Sequence, residues 1–77
     1  MAIDVRYFAS LRERMGRADE RLPADGVVTV ADVWRQVSGN AALPANVLCA
    51  VNMEYVDPAA AVRDGDEVAF FPPVTGG

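Results

Sequence analysis

Apolar and polar residues alternate along the first eight positions of the chain. The odd-numbered positions 3 to 7 are all apolar, namely Ile3, Val5 and Tyr7. The even-numbered positions carry two charged residues and Phe8. A period of two is typical of a strand with one buried face. We therefore predict a strand over residues 2–9, with Phe8 on the face opposite the buried residues.

A helical repeat follows further along the chain. Four apolar residues have the spacing i, i+3, i+4 and i+7, which places Val30, Val33, Trp34 and Val37 on one stripe. Thr29 and Asp32 have the spacing of a capping box at the start of this stripe. The run 38–40, Ser-Gly-Asn, is a helix stop. These signals predict one amphipathic helix that must bury its stripe on another element.

Shorter elements complete the pattern. Ser10 and Glu13 repeat the capping-box spacing, and Gly16 is placed to end a short helix. We predict further strands over 18–22, 47–53, 55–56 and 67–71, with a turn at 64–66. The element order predicts one α+β domain, residues 1–77, in which the long helix packs across a mixed sheet and the first and last strands are neighbours. This is the β-grasp, or ubiquitin-like, fold.

Composition limits the possible functions. The net charge is −4 and all seven basic residues are arginine, so no basic face for nucleic acid is expected. The first strand contains charged residues, so we expect neither a signal peptide nor a membrane span, and the expected compartment is the cytoplasm. The absence of lysine removes every side-chain amine for an isopeptide bond.

Conventional catalytic groups are scarce. The chain has no histidine and one cysteine, so we expect no metal site, no bound cofactor and no internal disulfide. Cys49 lies in an apolar run and is interpreted as an inert core residue rather than a persulfide carrier. The acidic run around Asp64, Asp66 and Glu67 is interpreted as a turn rather than a magnesium site. The chain offers no residue that could serve as the catalytic group of a stand-alone enzyme.

The C-terminal residues offer a different chemistry. The stiff pair Pro72-Pro73 follows the last strand, and the flexible end Val74-Thr75-Gly76-Gly77 follows that. A terminal carboxylate becomes reactive when ATP adenylates it, and sulfur can then displace AMP to leave a thiocarboxylate. Glycines have no Cβ and can thread a narrow channel to a partner's active site. The alternative is a frayed tail or a cloning remnant.

Aromatic residues indicate a partner surface beside this tail. Phe70 and Phe71 are adjacent in a strand and must point to opposite faces of the sheet. By the same parity, Phe8 and Phe71 share the face that the helix leaves uncovered, together with Tyr55. Clustered exposed aromatics favour a docking patch. The alternative is that the helix covers the other parity, which would make these residues part of the core.

Residues 64–77, with the letters DGDEVAFFPPVTGG, resemble the C-terminal signature of the small subunit of molybdopterin synthase, the MoaD family. Residues 5–9 and 11–13 resemble that family's first strand and helix, and residues 50–52 its third strand. The resemblance covers the whole chain. The segment 38–46 is shorter than in many members, so its local fold is not predicted.

The resemblance implies a β-grasp sulfur carrier that is not itself an enzyme. Gly77 would be adenylated by an E1-like activating enzyme, and a sulfur donor protein would convert it to a thiocarboxylate. The tail 72–77 would then enter the large catalytic subunit and give sulfur to cyclic pyranopterin monophosphate, forming the dithiolene. The family pairs two small with two large subunits. Phe8, Tyr55 and Phe71 match its apolar contact positions, and Arg12 matches a polar one.

Two other functions remain open at this point. A related carrier could feed thiazole or cysteine synthesis, since such carriers share the fold and the terminal glycines. The Phe-Phe-Pro-Pro run of residues 70–73 favours the molybdopterin branch. A ubiquitin-like binding module without C-terminal chemistry is the second alternative, and its tail would never gain mass.

Overall fold

Five strands and two helices make up the described part of the chain. The computed structural model describes residues 2–41, 43–44 and 46–72. In chain order the elements are β1 (Ala2–Tyr7), α1 (Ser10–Met15), β2 (Asp19–Pro23), α2 (Val30–Ser38), β3 (Leu48–Val51), β4 (Glu54–Val56) and β5 (Glu67–Phe71). No helix in this part of the chain is long and apolar enough to cross a lipid bilayer.

The strands form a single mixed sheet in the order β2-β1-β5-β3-β4. The first and last strands are neighbours and run parallel, with Val5 opposite Val68 and Tyr7 opposite Phe70. The other three pairs are antiparallel. A parallel pair needs a long crossover connection, and here the whole middle of the chain, including α2, supplies it. The β-grasp prediction is therefore confirmed.

The core lies between α2 and one face of the sheet. The predicted stripe of α2 is buried, and so are the odd-numbered residues of β1. Phe70 is fully buried, and its ring meets the edge of Trp34 with the ring centroids 5.0 Å apart. Burying one such aromatic side chain contributes about 1.5–3 kcal/mol. This packing fixes which face of the sheet is covered and leaves the other face open.

The start of α2 has the predicted capping box. The Thr29 hydroxyl accepts from the Asp32 amide, and the Asp32 carboxylate accepts from the Thr29 and Val28 amides. These amide bonds hold the pKa of Asp32 below its usual range. Gly39, with φ of 73°, ends the helix in the left-handed conformation, within the stop predicted at 38–40.

The start of α1 differs from the prediction. The helix begins at Ser10, but Ala9 is its N-cap and no described side chain caps it, so the Ser10–Glu13 capping box is wrong. The Phe8 and Ala9 carbonyls accept from the amides of Leu11 and Arg12 instead. The main chain thus satisfies two amides of the first helical turn without a side-chain cap. Gly16 ends this helix as predicted.

The predicted strand 47–53 is two residues too long at its end. β3 stops at Val51, which pairs with Glu54 at the start of β4, and Asn52-Met53 forms the hairpin turn between them. Both turn residues have positive φ, 50° and 71°, which is the geometry of a type I′ turn. The segment 57–63, ambiguous in sequence, holds one isolated bridge between Ala61 and Thr29.

Candidate functional site

The uncovered face of the sheet carries an apolar surface, which we call the open-face patch. Its strand residues point away from α2 because they alternate with core residues along β3, β4 and β5. Its other two members are Phe8, which directly follows β1, and Met53, which lies in the turn between β3 and β4. The patch comprises Phe8, Leu48, Ala50, Met53, Tyr55, Ala69 and Phe71. Ala50 and Ala69 are small and form its floor, so the large side chains stand around them as a rim.

Phe71 is the centre of this patch. Its ring stacks on Phe8 with the centroids 4.7 Å apart and the planes 6° from parallel. The Tyr55 ring lies 5.7 Å away on the other side, tilted by 53°. Tyr55 is 72% exposed and Phe8 is 38% exposed, so the cluster still presents much apolar surface to solvent. The predicted grouping of these three aromatics on the uncovered face is confirmed.

Two patch residues were missed by the sequence reasoning. Leu48 pairs with Phe71 across β3 and β5 and is 39% exposed. Met53 lies in the hairpin turn and is 90% exposed. Strand parity, counted back from Ala50, could have assigned Leu48 to this face. Met53 could have been found only by recognising that Asn52 begins a turn.

The other half of the same face is charged. Arg6 and Glu67 form an ion pair of 3.0 Å at the border of the patch, and Arg21 and Asp4 form one of 3.1 Å beyond it. Exposed pairs of this kind contribute little to stability, about 0–1 kcal/mol each. Their effect here is to give the patch a polar border on the side of β1 and β2.

Arg12, the predicted polar contact, lies on α1 and is exposed. Its side chain makes none of the hydrogen bonds or ion pairs found among the described residues. Its main chain helps to form the helix, since its amide donates to Ala9 and its carbonyl accepts from Gly16. The structure therefore leaves Arg12 accessible but does not group it with the aromatic cluster.

Cys49 is buried on the covered face, opposite Phe70 in the sheet. Burial, reinforced by the negative charge of Asp57, raises the pKa of its thiol to about 11. A thiol that stays protonated and inaccessible is a poor nucleophile. The interpretation of Cys49 as a core residue is confirmed.

The acidic run at 64–67 forms the predicted turn before β5. Asp66 accepts from the Asn52 side-chain amide at 3.0 Å and from the Arg63 backbone amide at 2.8 Å. Both hydrogen bonds hold the pKa of Asp66 below its usual range, and the bond from Asn52 has the larger effect. Over residues 2–41, 43–44 and 46–72, no group of three His, Cys, Asp or Glu residues is placed to hold a metal ion.

The tail begins directly at the patch. β5 ends at Phe71, and Pro72 follows it, half-buried. The remaining predicted site residues, Pro73, Val74, Thr75, Gly76 and Gly77, lie outside the described residues. Covalent continuity alone therefore connects the patch to them, with six residues from Pro72 to Gly77.

Known proteins resemble this chain along its whole length. It is 38% identical to the molybdopterin synthase sulfur carrier subunit of Escherichia coli, over 97% of this chain and 99% of that protein. It is 37% identical to the subunit of the same name from Chlamydomonas reinhardtii, with both chains fully covered. The crystal structure of SAMP1 from Haloferax volcanii superposes with a TM-score of 0.83 at 29% identity, again with both chains fully covered.

A family model agrees with these similarities. The ThiS family model matches residues 5–77, which include the last three residues of β1, the open-face patch and the C-terminal glycines. The sequence resemblance and the fold thus lead to the same group of proteins. This chain belongs to the ThiS family.

Proposed function

We propose that this protein is the sulfur carrier subunit of molybdopterin synthase. The observation that carries the proposal is the position of the open-face patch. Its central residue, Phe71, ends β5, and the glycine-ended segment 72–77 continues from it. A partner that covers the patch would hold the start of that segment at a fixed point. Full-length similarity to sulfur carrier subunits of that synthase supports the same function.

The reactive group in this proposal is the carboxylate of Gly77. Its oxygen attacks the α-phosphate of ATP on an E1-like activating enzyme, and pyrophosphate leaves. Hydrosulfide released by a sulfur donor protein then attacks the carbonyl carbon of the acyl-adenylate, and the C–O bond to AMP breaks as AMP leaves. The product is a thiocarboxylate, which gives its sulfur to cyclic pyranopterin monophosphate. No cofactor is bound, and ATP is consumed by the activating partner in the cytoplasm.

The same proposal assigns roles to the other site residues. Phe8, Tyr55 and Phe71 dock on the large catalytic subunit, and exposed Arg12 adds a polar contact. Residues 72–77 form a functional tail on the single domain 1–77, and Gly76 lets that tail pass a narrow channel because it has no Cβ. The carrier is not an enzyme alone; it works in an assembly of two small and two large subunits. Aromatic anchors are the residues that typically dominate such interfaces.

Cys49 provides the internal control for this assignment. It is the only sulfur nucleophile in the chain, and it is buried with a raised pKa. A sulfur carried on Gly77 would not need it. Cys49→Ser should therefore still gain mass on charging, provided that the variant is folded.

The experiment charges the chain with ATP, an E1-like enzyme and a sulfur donor, and measures the intact mass. The expected gain is that of one carboxyl oxygen replaced by sulfur, located on Gly77 by fragmentation. Deleting Gly77, or adding one residue after it, should abolish both the gain and pterin conversion by the large subunit. Neither change touches the described core, so stability should stay within about ±0.5 kcal/mol.

Three results would contradict the proposal. One is normal pterin conversion by the variant that lacks Gly77. Another is sulfur located on Cys49. The third is a charged chain that transfers sulfur to a thiazole or cysteine precursor but not to the pterin, which would reassign the chain to a related carrier.

A further inference from the structure

The hairpin turn between β3 and β4 holds an apolar side chain in an unfavourable place. Met53 is the second residue of the type I′ turn and has a φ of 71°. Glycine is the usual residue there because a Cβ is strained at positive φ. Asn52 is the first turn residue, and asparagine is one of the residue types that tolerate a positive φ. Methionine has no such local advantage.

The folded chain gains little from Met53 in return. Its side chain is 90% exposed, the highest exposure among the large hydrophobic residues of the described chain. An apolar side chain at an exposed and strained position lowers stability without burying surface. Backbone strain of this kind tends to persist at functional sites.

The turn is nevertheless held rigidly. The Asn52 amide donates to the Glu67 carbonyl at 2.8 Å, and the Glu67 amide donates to the Asn52 side-chain oxygen at 3.0 Å. The Asn52 side-chain amide donates in turn to Asp66 at 3.0 Å. Three hydrogen bonds therefore fix the turn against the start of β5. The backbone of Met53 is pre-organised, which lowers the entropic cost of a contact made there.

Met53 also lies beside the aromatic cluster. It lines the same groove as Phe8, Tyr55 and Phe71, at the end of the groove where Asn52 is hydrogen-bonded to Glu67. Its unbranched thioether adapts to irregular apolar surfaces. A partner that covers the three aromatics is therefore in reach of Met53 as well.

We propose that Met53 is an additional anchor for the large synthase subunit, kept at this turn for binding and at the expense of stability. The inference rests on the proposed function, because it takes that subunit as the occupant of the patch. Unlike the proposed function, the inference requires that replacing Met53 with glycine raises stability and lowers the affinity for the large subunit. A residue with a purely structural role would change both in the same direction.

The test compares Met53→Gly with Met53→Leu in the full chain. Glycine relieves the strain, so Met53→Gly should melt at a higher temperature than the parent. It should bind the large subunit of the same organism's molybdopterin synthase at least about fivefold more weakly, as expected for loss of an interface anchor. Met53→Leu keeps an apolar side chain and should bind within about threefold of the parent. Titration calorimetry and thermal unfolding supply both measurements.

Phe71→Ala separates the two hypotheses. If Phe71→Ala binds weakly while Met53→Gly binds like the parent, the anchor role of Met53 is overturned and the proposed function stands. If neither variant weakens binding, the patch is not the docking surface and both fail. A Met53→Gly chain that binds weakly but also melts lower overturns the inference too, because a loosened hairpin would then explain the loss.

Discussion

One residue of the open-face patch and one residue next to it have backbone angles that glycine adopts more easily. Met53 is one, and Ala9, with φ of 52° and ψ of −129°, is the other. Ala9 lies directly after Phe8, where the chain turns from β1 into α1. Strain of this type costs about 1–3 kcal/mol. Met53 belongs to the patch and Ala9 follows the patch residue Phe8, so both strained positions coincide with this surface.

The first prediction concerns Ala9. Glycine at this position should raise the free energy of unfolding by about 1 kcal/mol, since relief of strain exceeds the extra entropy of the unfolded chain. Urea unfolding measures the change. Ala18→Gly is the matched control, because Ala18 is an exposed alanine without positive φ and should become less stable. An Ala9→Gly variant that loses stability like the control would contradict the strain argument.

The second prediction concerns Cys49 and pH. Its folded pKa of about 11 is higher than the ordinary value of 9.0, so its contribution to stability is complete below pH 9. That contribution is lost as the pH rises from 9 to 11, because the thiol ionises in the unfolded chain first. The free energies of unfolding of the parent and of Cys49→Ala are measured as a function of pH. The advantage of the parent over the variant should shrink between pH 9 and 11.

Other groups titrate in the same interval. Burial and the Glu20 carboxylate raise the pKa of Tyr7, whose hydroxyl donates to Glu20, so Tyr7 also destabilises the fold at high pH. The comparison of parent with Cys49→Ala cancels that background. A difference that stays constant from pH 8 to 11 would show that the Cys49 thiol ionises equally in both states.

At the scale of the elements, one sequence signal had two outcomes. Thr29 with Asp32, and Ser10 with Glu13, have the same spacing, yet only the first pair forms a capping box. The backbone conformation of the residue that precedes each helix decides whether the capping box forms. Thr29 enters α2 in an extended conformation, with φ of −127°, whereas the tight turn at Ala9 delivers main-chain carbonyls to the first amides of α1.

This difference gives the third prediction. Thr29→Ala should lower the free energy of unfolding by about 1 kcal/mol, whereas Ser10→Ala should change it by less than about 0.5 kcal/mol. Both variants are compared by urea unfolding at neutral pH. The depressed pKa of Asp32 means that its part of the cap is present above the ordinary value of 3.8 and is lost as the pH falls below it. Equal losses in the two variants would contradict the assignment.

The hydrophobic periodicity predicted the helices and strands, whereas the hairpin turn and its hydrogen-bond partners became visible only in the structure. The stripe of α2 and the alternation in β1 were sufficient for the fold because each leaves only one face to bury. The same parity placed Phe8, Tyr55 and Phe71 on the open face. Met53 was missed because the predicted strand was extended from the apolar residues 47–51 through Asn52, which in the structure begins a two-residue turn. The bonds that hold this turn come from Glu67 and Asp66, which lie far along the sequence.

The whole molecule is a sheet with two different faces. One face is covered by α2 and forms the hydrophobic core. The other face carries the open-face patch and the ion pairs Arg6–Glu67 and Arg21–Asp4. Phe70 and Phe71 are neighbours in β5 that belong to opposite faces. Phe70 is fully buried against Trp34, whereas Phe71 is half-buried between Phe8 and Tyr55. Fold and function are thus divided between two adjacent residues of the same type.

The fourth prediction uses this matched pair. Phe70→Ala should cost about 3–5 kcal/mol of folding free energy, because it opens a cavity in the core. Phe71→Ala should cost only about 1 kcal/mol, the worth of its ring contacts with Phe8 and Tyr55. Its binding to the large synthase subunit should fall about thirtyfold, since an aromatic anchor contributes about 2 kcal/mol or more. Thermal unfolding and titration calorimetry on both variants test the division. If Phe71→Ala unfolds as readily as Phe70→Ala, or binds like the parent, then Phe71 is not a docking anchor and is either a second core residue or a neutral one.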